Sequence, residues 1–471
     1  MDHDLRVELK ETLTKALVSL LGSRAPQGHW RDIRATATAA WAIGEVISGE
    51  NVESAGLQPL AEQGRRALLW LTEQARDEPP HPGVSWESEG WDTSLGLIAL
   101  TYDRSEKLSR CANAAYEWLA CEQSGDGSWF GEPWESTLCT VAMIRNEREM
   151  CKLGRPRRLN VTGVLRWLNG LPSKRSGEFI STHYSGFLAW LLSEINQTPT
   201  VKAAVPKQLY AAYCRKTDAA VSWLLRTASE NPGDLWSQYT FANAYAAYGL
   251  AKLASTLPSI GDAHIDDCLP VAIRWLRSRQ TSEGGFEDVE DNALAVLALS
   301  AIADRGGRDS DELRVDLDTV LERVRRLPRA CFLGYAEAVA PLAQRLKEIL
   351  REMFPNLRVV DWRTDFRASH TIIQEIEDQT HTCEAAIFLI TKDDEGRKGG
   401  EVIYTRRANI IFEVGFFTGR VALQNAILVR EQGAELPSDW HGIIDVPFTS
   451  RETFDVSREA LGNNVRKILF A

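Results

Sequence analysis

The chain lacks the features of several classes of protein. Its 471 residues contain no apolar run approaching the ~18–20 residues of a membrane span, and its opening Met1-Asp2-His3-Asp4 is acidic where a secretory leader is basic. The eight cysteines (111, 121, 139, 151, 214, 268, 331 and 383) are scattered without a C-x-x-C pair. That leaves neither a zinc framework nor a disulfide scaffold, and predicts reduced thiols in a cytoplasmic protein. Positive charge is not in excess: 54 Lys and Arg against 65 Asp and Glu give a net charge of −11. No general attraction for nucleic acid or an anionic membrane surface is therefore expected. Hydrophobic residues at 44% and charged residues at 25% are ordinary globular composition. At ~150 residues per domain, the length predicts two or three domains.

Tryptophan is unevenly distributed. Of 15, 13 precede residue 330, and only Trp362 and Trp440 follow it. Trp-Leu recurs at Trp70, Trp118, Trp167, Trp223 and Trp275, with spacings of 48, 49, 56 and 52, each time within a helical pattern. A second series of Gly-rich turns ends in Trp30, Trp86, Trp129, Phe179, Trp236 and Phe286. Small and apolar residues at helical spacing follow each turn. A period near 50 with two helices per unit predicts stacked hairpins, none of which buries its apolar face alone.

Two units match almost position for position. Trp118-Leu119, Gln123 and Asp126-Gly-Ser-Trp129 run parallel to Trp275-Leu276, Gln280 and Glu283-Gly-Gly-Phe286. This pattern resembles the Gln-Trp repeat of squalene–hopene and class II terpene cyclases and, more loosely, the prenyltransferase β-subunits. The resemblance implies an α/α toroid of about six helical hairpins over residues 1–305. Where those cyclases carry Asp-x-Asp-Asp-Thr-Ala, this chain reads Asp288-Val-Glu290-Asp291-Asn292-Ala293. Glu290 is one methylene longer than the acid it replaces, and the stretch reads as a solvated turn and helix start, where carboxylates are favoured. His183 reads as a polar rim or core residue; no zinc-binding set is expected. A closed ring with a central apolar cavity but no catalytic signature suits a receptor for an activating ligand or protein.

Residues 306–328 read as a linker with a connecting helix, ended by Pro328. From 329 to 471 strands and helices alternate. Strands are predicted at Cys331–Leu333, 357–362, 385–390, 426–429 and 442–445. Helices are predicted at about 336–353, 371–379, 409–420 and 456–469. The fold class is thus multidomain, an all-α ring followed by an α/β flavodoxin-like domain with a five-stranded parallel sheet. No GxGxxG follows the first strand, so this is not a classical dinucleotide fold.

The module resembles the bacterial TIR-like family described as nucleotide-binding. The resemblance rests on Phe332-Leu-Gly334, Val360-Asp-Trp362, Ala386-Ile-Phe-Leu-Ile-Thr391, Leu436-Pro-Ser-Asp-Trp-His-Gly442 and, most specifically, Arg407-Ala-Asn409-Ile-Ile-Phe-Glu413-Val-Gly-Phe-Phe-Thr-Gly419. It departs at Ala408, where Asp is usual, and at Val421-Ala422 in place of Leu-Gly. The resemblance implies NAD⁺ glycohydrolase activity with Glu413 as the catalytic carboxylate, NAD⁺ as substrate and no further cofactor. Expulsion of neutral nicotinamide needs no general acid, so one carboxylate facing an oxocarbenium-like ribose suffices. Tyr335, Trp362, Asp365, Phe366, Arg407 and Asn409 are the expected substrate contacts. Asn409 stands one helical turn before Glu413. Asp365 and Phe366 belong to the segment 363–368, which corresponds to the family's BB loop and implies a composite site formed by self-association.

The expectation is a cytoplasmic effector of bacterial antiphage immunity, with the ring as sensor or assembly module. The alternatives are a non-enzymatic TIR scaffold, or a terpene cyclase-like enzyme with an accessory TIR domain.

Overall fold

A computed structural model describes residues 3–25, 28–48, 57–77, 82–87, 89–103, 105–152, 159–231, 233, 235–257, 259–260, 263–305, 315, 317–327, 329–365, 376, 379, 383–392, 395–398, 401–404, 408–421, 423–434, 436, 440 and 442–469. The chain divides into two compact units, residues 1–24 with 28–321, and residues 322–471 with 25–27.

The first unit is built from helix pairs: α1 (His3–Gly22) and α2 (Ile33–Ser48), α3 (Leu57–Gln74) and α4 (Gly90–Leu100), α5 (Glu106–Glu122) and α6 (Pro133–Lys152), α7 (Val161–Gly170) and α8 (Thr182–Gln197). After the short α9 (Pro199–Ala204) come α10 (Lys207–Glu230) and α11 (Thr240–Ala254), then α12 (Leu269–Arg279) and α13 (Val289–Arg305). The second helix of each pair packs on the next, in the order α2, α4, α6, α8, α11, α13 and back to α2. Six inner helices thus close a ring, with the first helix of each pair outside. Inner helices are enclosed on nearly all sides; in α2 every residue from Ala35 to Val46 is buried.

The turn aromatics explain the repeat. The indole Nε1 of Trp30, Trp86, Trp129 and Trp236 donates to the carbonyl of Leu20, Leu71, Leu119 and Leu224, at the end of the preceding outer helix, at 2.6–2.8 Å. The backbone N–H of Trp30, Trp86, Trp129 and Phe179 donates to a hydroxyl in the first turn of the inner helix, Thr36, Thr93, Ser136 or Ser185. Trp30, Trp86 and Trp129, which make both bonds, therefore join the two helices of their hairpins. The repeat glutamines join one hairpin to the next. Gln123 Nε2 donates to the Gly127 carbonyl, and its Oε1 accepts from Asn160 N at the start of α7. Gln280 Nε2 donates to the Gly284 carbonyl and to that of Thr12 in α1, tying the last hairpin to the first. Gly127 adopts φ +98, and a Cβ there would stand 2.2 Å from the Gly163 carbonyl carbon, so only glycine fits this close approach.

Each inner helix presents an i, i+4, i+7, i+11 stripe to the axis, and the stripes are in register. The outermost layer is Arg34, Trp91, Trp134, His183, Phe241 and Glu290. Below it lie Thr38, Leu95, Leu138, Phe187, Tyr245 and Leu294, all buried. The third layer contains Trp41 and Trp190, stacked across the ring with centroids 5.0 Å apart, with Tyr248 edge-on to both. The fourth is ionic. Arg145 Nε donates to Glu194 at 2.7 Å and its terminal nitrogens to the Tyr102 and Tyr248 hydroxyls. Glu45 accepts from Lys252 and Tyr102. Burial raises the Glu45 carboxyl, but Lys252 and Arg145 outweigh it and hold the group at about 2. The expected central apolar cavity is corrected here: two tryptophans, a tyrosine and a buried ion-pair layer fill the middle of the bore.

The helix α14 (Leu317–Arg326) leads into the second unit. Its strands are β1 (Arg329–Tyr335), β2 (Leu357–Asp361), β3 (Ala385–Ile390), β4 (Ala426–Glu431) and β5 (Ile444–Phe448). They form one parallel sheet in the order β5-β4-β3-β1-β2. The helix α15 (Ala340–Met353) and the closing helix α18 (Arg458–Leu469) cover one face. The other is covered by α17 (Ala408–Val421), through Ile410, Val414 and Phe417. Strands buried on both faces read as continuous apolar runs, which is why Ala385–Ile390 and 426–429 were legible. Trp362 does not extend β2 but opens the short helix α16 (Trp362–Asp365). An antiparallel hairpin, Glu395–Lys398 with Glu401–Tyr404, had no apolar alternation to announce it. Most of the expected helix at 371–379 lies outside the described residues. Among the described residues no helix is long and apolar enough to cross a membrane, and no group of three or more metal-ligating side chains is present.

Candidate active site

Glu413 lies in the middle of α17, between residues that fix it. Val414 and Phe417 are buried, and Phe417 stacks on Phe332 at 5.5 Å and meets Phe388 edge-on at 6.2 Å. This anchoring sets the carboxylate over the end of β1. Its Oε2 is 3.2 Å from where a Cβ on Gly334 would stand. The same atom is buried and has no hydrogen-bond partner among the described residues. Burial alone raises the Glu413 carboxyl to about 7. A desolvated, unpartnered carboxylate beyond the carboxyl end of a central parallel strand is placed where ligands bind in such sheets.

The other expected contacts fare differently. Tyr335 alternates with Gly334 along β1, so its ring enters the opposite core, beside Cys331 and Leu333. It is 4% exposed, and its hydroxyl donates to Asp361 at 2.7 Å. Tyr335 is therefore a core residue rather than a stacking platform for substrate, which corrects the sequence expectation. Asp361 is itself saturated, accepting also from Arg363 N at 3.1 Å and pairing with Lys347 at 3.3 Å. Trp362 is half-buried, packs against both cores, and lies 5.8 Å from the Tyr335 ring with its indole N–H unpartnered among the described residues. Asp365 is exposed and uses Oδ2 to accept the Asp361 N–H at 2.7 Å. Phe366 and Arg407 lie outside the described residues, as does the side chain of Asn409, whose backbone is in the first turn of α17.

Sequence reasoning missed Glu431. At the end of β4 it accepts from Lys392 N at 2.9 Å and pairs with Arg451 at 2.7 Å, joining the segments that follow β3 and β5. A lone Glu after an apolar strand carries no signal of such a role.

Residues 331–450 match the family described as CAP12/Pycsar effector protein, TIR domain. Over these residues the second unit is similar to that TIR-domain family. Among its relatives are CD-NTase-associated protein 12 of Sphingobacterium faecium, 29% identical over 104 residues, and the Pycsar effector protein BcPycTIR of Burkholderia cepacia, 25% identical over 180 residues. These alignments cover 22% and 35% of this chain and 32% and 58% of the relatives. The Pycsar effector PaPycTIR of Pseudomonas aeruginosa is 34% identical over 92 residues, 19% of this chain and 30% of its own length. The chain therefore spans about a third to three fifths of these relatives. A type II terpene cyclase from Scytonema, MstE, aligns with 64% of this chain and 99% of its own at a TM-score of 0.43 and 15% identity. The α/α ring itself stands on the helix packing described above.

Proposed function

We propose that this protein is a bacterial antiphage effector whose TIR domain cleaves the nicotinamide–ribose bond of NAD⁺, with Glu413 as the carboxylate that meets the ribose. The observation that carries this reading is the buried Glu413 Oε2 over Gly334, desolvated and without a hydrogen-bond partner among the described residues. The C1′–N bond breaks with its electron pair passing to the pyridinium nitrogen, so nicotinamide leaves neutral. The developing cation at C1′ faces the ionised carboxylate, and water then adds to C1′ and releases a proton. A carboxyl raised to about 7 ionises more readily once the cationic pyridinium ring of the substrate is beside it. In a water-poor site such a charge is worth ~10²–10³ in rate.

The names of the relatives, CD-NTase-associated proteins and Pycsar effectors, support an effector role, and the fused ring then acts as sensor or assembly module. Self-association of TIR domains would complete a site that the segment 363–368 of a neighbouring copy shares. If the competent state is ~1% populated when dilute, a trigger must supply ~5.5 kcal/mol to drive it to ~99%. The test is nicotinamide release from NAD⁺ by the full chain over a wide range of protein concentration, beside Glu413→Gln. Activity that rises steeply with concentration and vanishes in the variant is expected. Equal release by the variant would overturn the assignment, and would leave the scaffold reading.

A further inference from the structure

The outermost axial layer of the ring differs in character from the plug beneath it. Trp91 and Trp134 meet edge-on at 3.9 Å, and His183 lies 5.5 Å from Phe241. Phe241 is 38% exposed and Tyr239, stacked on it, 56%. Large apolar rings at such exposure are available for contact. The floor below them is buried and apolar except for Thr38, whose hydroxyl donates to the Arg34 carbonyl, and Tyr245, which is 2% exposed and whose hydroxyl has no hydrogen-bond partner among the described residues. Tyr245 shares the axial stripe of Phe241, Tyr248 and Lys252. Its hydroxyl also feels the charges of Glu290 and Arg34, which places it under the mouth.

The charges at the mouth are not balanced. Arg34 is committed to Asp92 at 2.8 Å and Glu89 at 3.5 Å, and already lies over the Trp91 face at 5.3 Å. Arg31 pairs with Asp32. Burial lowers His183 to about 4, so it adds no positive charge at neutral pH. Burial raises the Asp291 carboxyl to about 6, with the nearby Asp288 and Glu287 adding to the rise and the Phe241 backbone opposing it. Glu290 is half-buried and has no hydrogen bond or ion pair among the described residues. Burial raises its carboxyl to about 7, with Arg34 the strongest opposing influence. The result is a cup of aromatic faces and an uncommitted acid over an orphaned tyrosine hydroxyl. Such a cup repels anions and suits a cation whose N–H groups donate to oxygen while its charge rests on ring faces.

We propose that the mouth of the ring binds an organic cation, an alkyl-ammonium or guanidinium head on an apolar stem. The head would donate to Glu290 and the Tyr245 hydroxyl, with Trp134 and Phe241 against the stem. This goes beyond the NAD⁺ reading and does not depend on it, because binding is measured without turnover.

The experiment is calorimetric titration of the full chain with four probes of equal stem length: n-pentylammonium, n-pentylguanidinium, n-pentanol and pentanoate. One saturable site for the cations is expected, at least 10-fold tighter than for the alcohol, with no binding of the carboxylate. The tighter of the two cations identifies which head the site takes. Glu290→Gln should weaken cation binding at least 10-fold, and Tyr245→Phe, which keeps the ring, several-fold with the melting temperature unchanged. Equal affinity for pentanol would overturn the proposal, as would cation binding indifferent to both variants, or no saturable binding of either cation.

Discussion

Glu413 and Gly334 occupy one space: Oε2 of the acid is 3.2 Å from where a methyl on the glycine would stand. The same methyl would be 2.4 Å from Cδ1 of Phe388, a ring held in the core. Gly334→Ala is therefore expected to displace the carboxylate by ångström-scale movement. A loss of ~10²-fold in nicotinamide release is the expected outcome, with destabilisation of about 1–3 kcal/mol from overpacking. Kinetics and urea denaturation of the same preparation check both.

Beside the loss of activity expected of it, Glu413→Gln should carry a stability signature. An unfolded glutamate titrates near ~4.3, whereas the folded carboxyl holds its proton to about 7. Below pH ~4 both states are protonated and the variant should match the parent. As pH rises through 7 the folded parent must ionise a buried group, and the stability gained from holding that proton is lost. At pH 8 the variant should be the more stable by about 1–3 kcal/mol, read from melting curves at pH 4, 6 and 8. A variant no more stable at pH 8 would mean that the carboxylate is already solvated.

The ionic layer of the ring should behave in the opposite sense. Glu45 is held at about 2 by Lys252 and Arg145, so its contribution is present at neutral pH and is lost as pH falls from ~4 towards 2. Removing Arg145 takes one of two cations from Glu194, which keeps Arg148 and the Trp190 indole N–H, and takes the guanidinium donor from two tyrosine hydroxyls inside the ring. Arg145→Met is expected to cost about 3–5 kcal/mol in denaturant titrations. Arg145→Lys should not rescue it, since a point charge cannot reach three acceptors arranged for a guanidinium fork.

Gln280→Leu tests the ring's seam. It leaves the carbonyls of Thr12 and Gly284 without this donor, at a cost of about 1–3 kcal/mol. Amide exchange in α1 should accelerate more than in α6 or α8, because the seam opens locally before the ring does.

What the sequence disclosed follows from which interactions are local. Trp30, Trp86 and Trp129 each bond a residue 10–15 positions earlier and one 6–7 later, so these hairpins carry their own local signature. The parallel strands were legible because burial on both faces makes them uniformly apolar. The ionic layer was not: Glu45 and Lys252 meet across 207 residues, and no local pattern announces their pairing. The same holds for the axial plug, where Trp41 and Trp190 read only as two more helical tryptophans. Within the site, motif identity located Glu413. It could not tell which face of β1 Tyr335 would take, because a shift of one residue in the alternation exchanges one core for the other.

The hydrogen bond from Gln280 to Thr12 spans 268 positions, and it has a consequence for synthesis. The first helix leaves the ribosome earliest, yet its partners α12 and α13 are made last among the ring's elements. At ~5–20 residues per second, α1 waits on the order of ten seconds or more with its apolar side unmatched. The second unit emerges only after those partners. A newborn molecule therefore has the means to close its ring before Glu413 has been translated, so the part proposed as sensor or assembly module is complete before the part proposed to cleave NAD⁺.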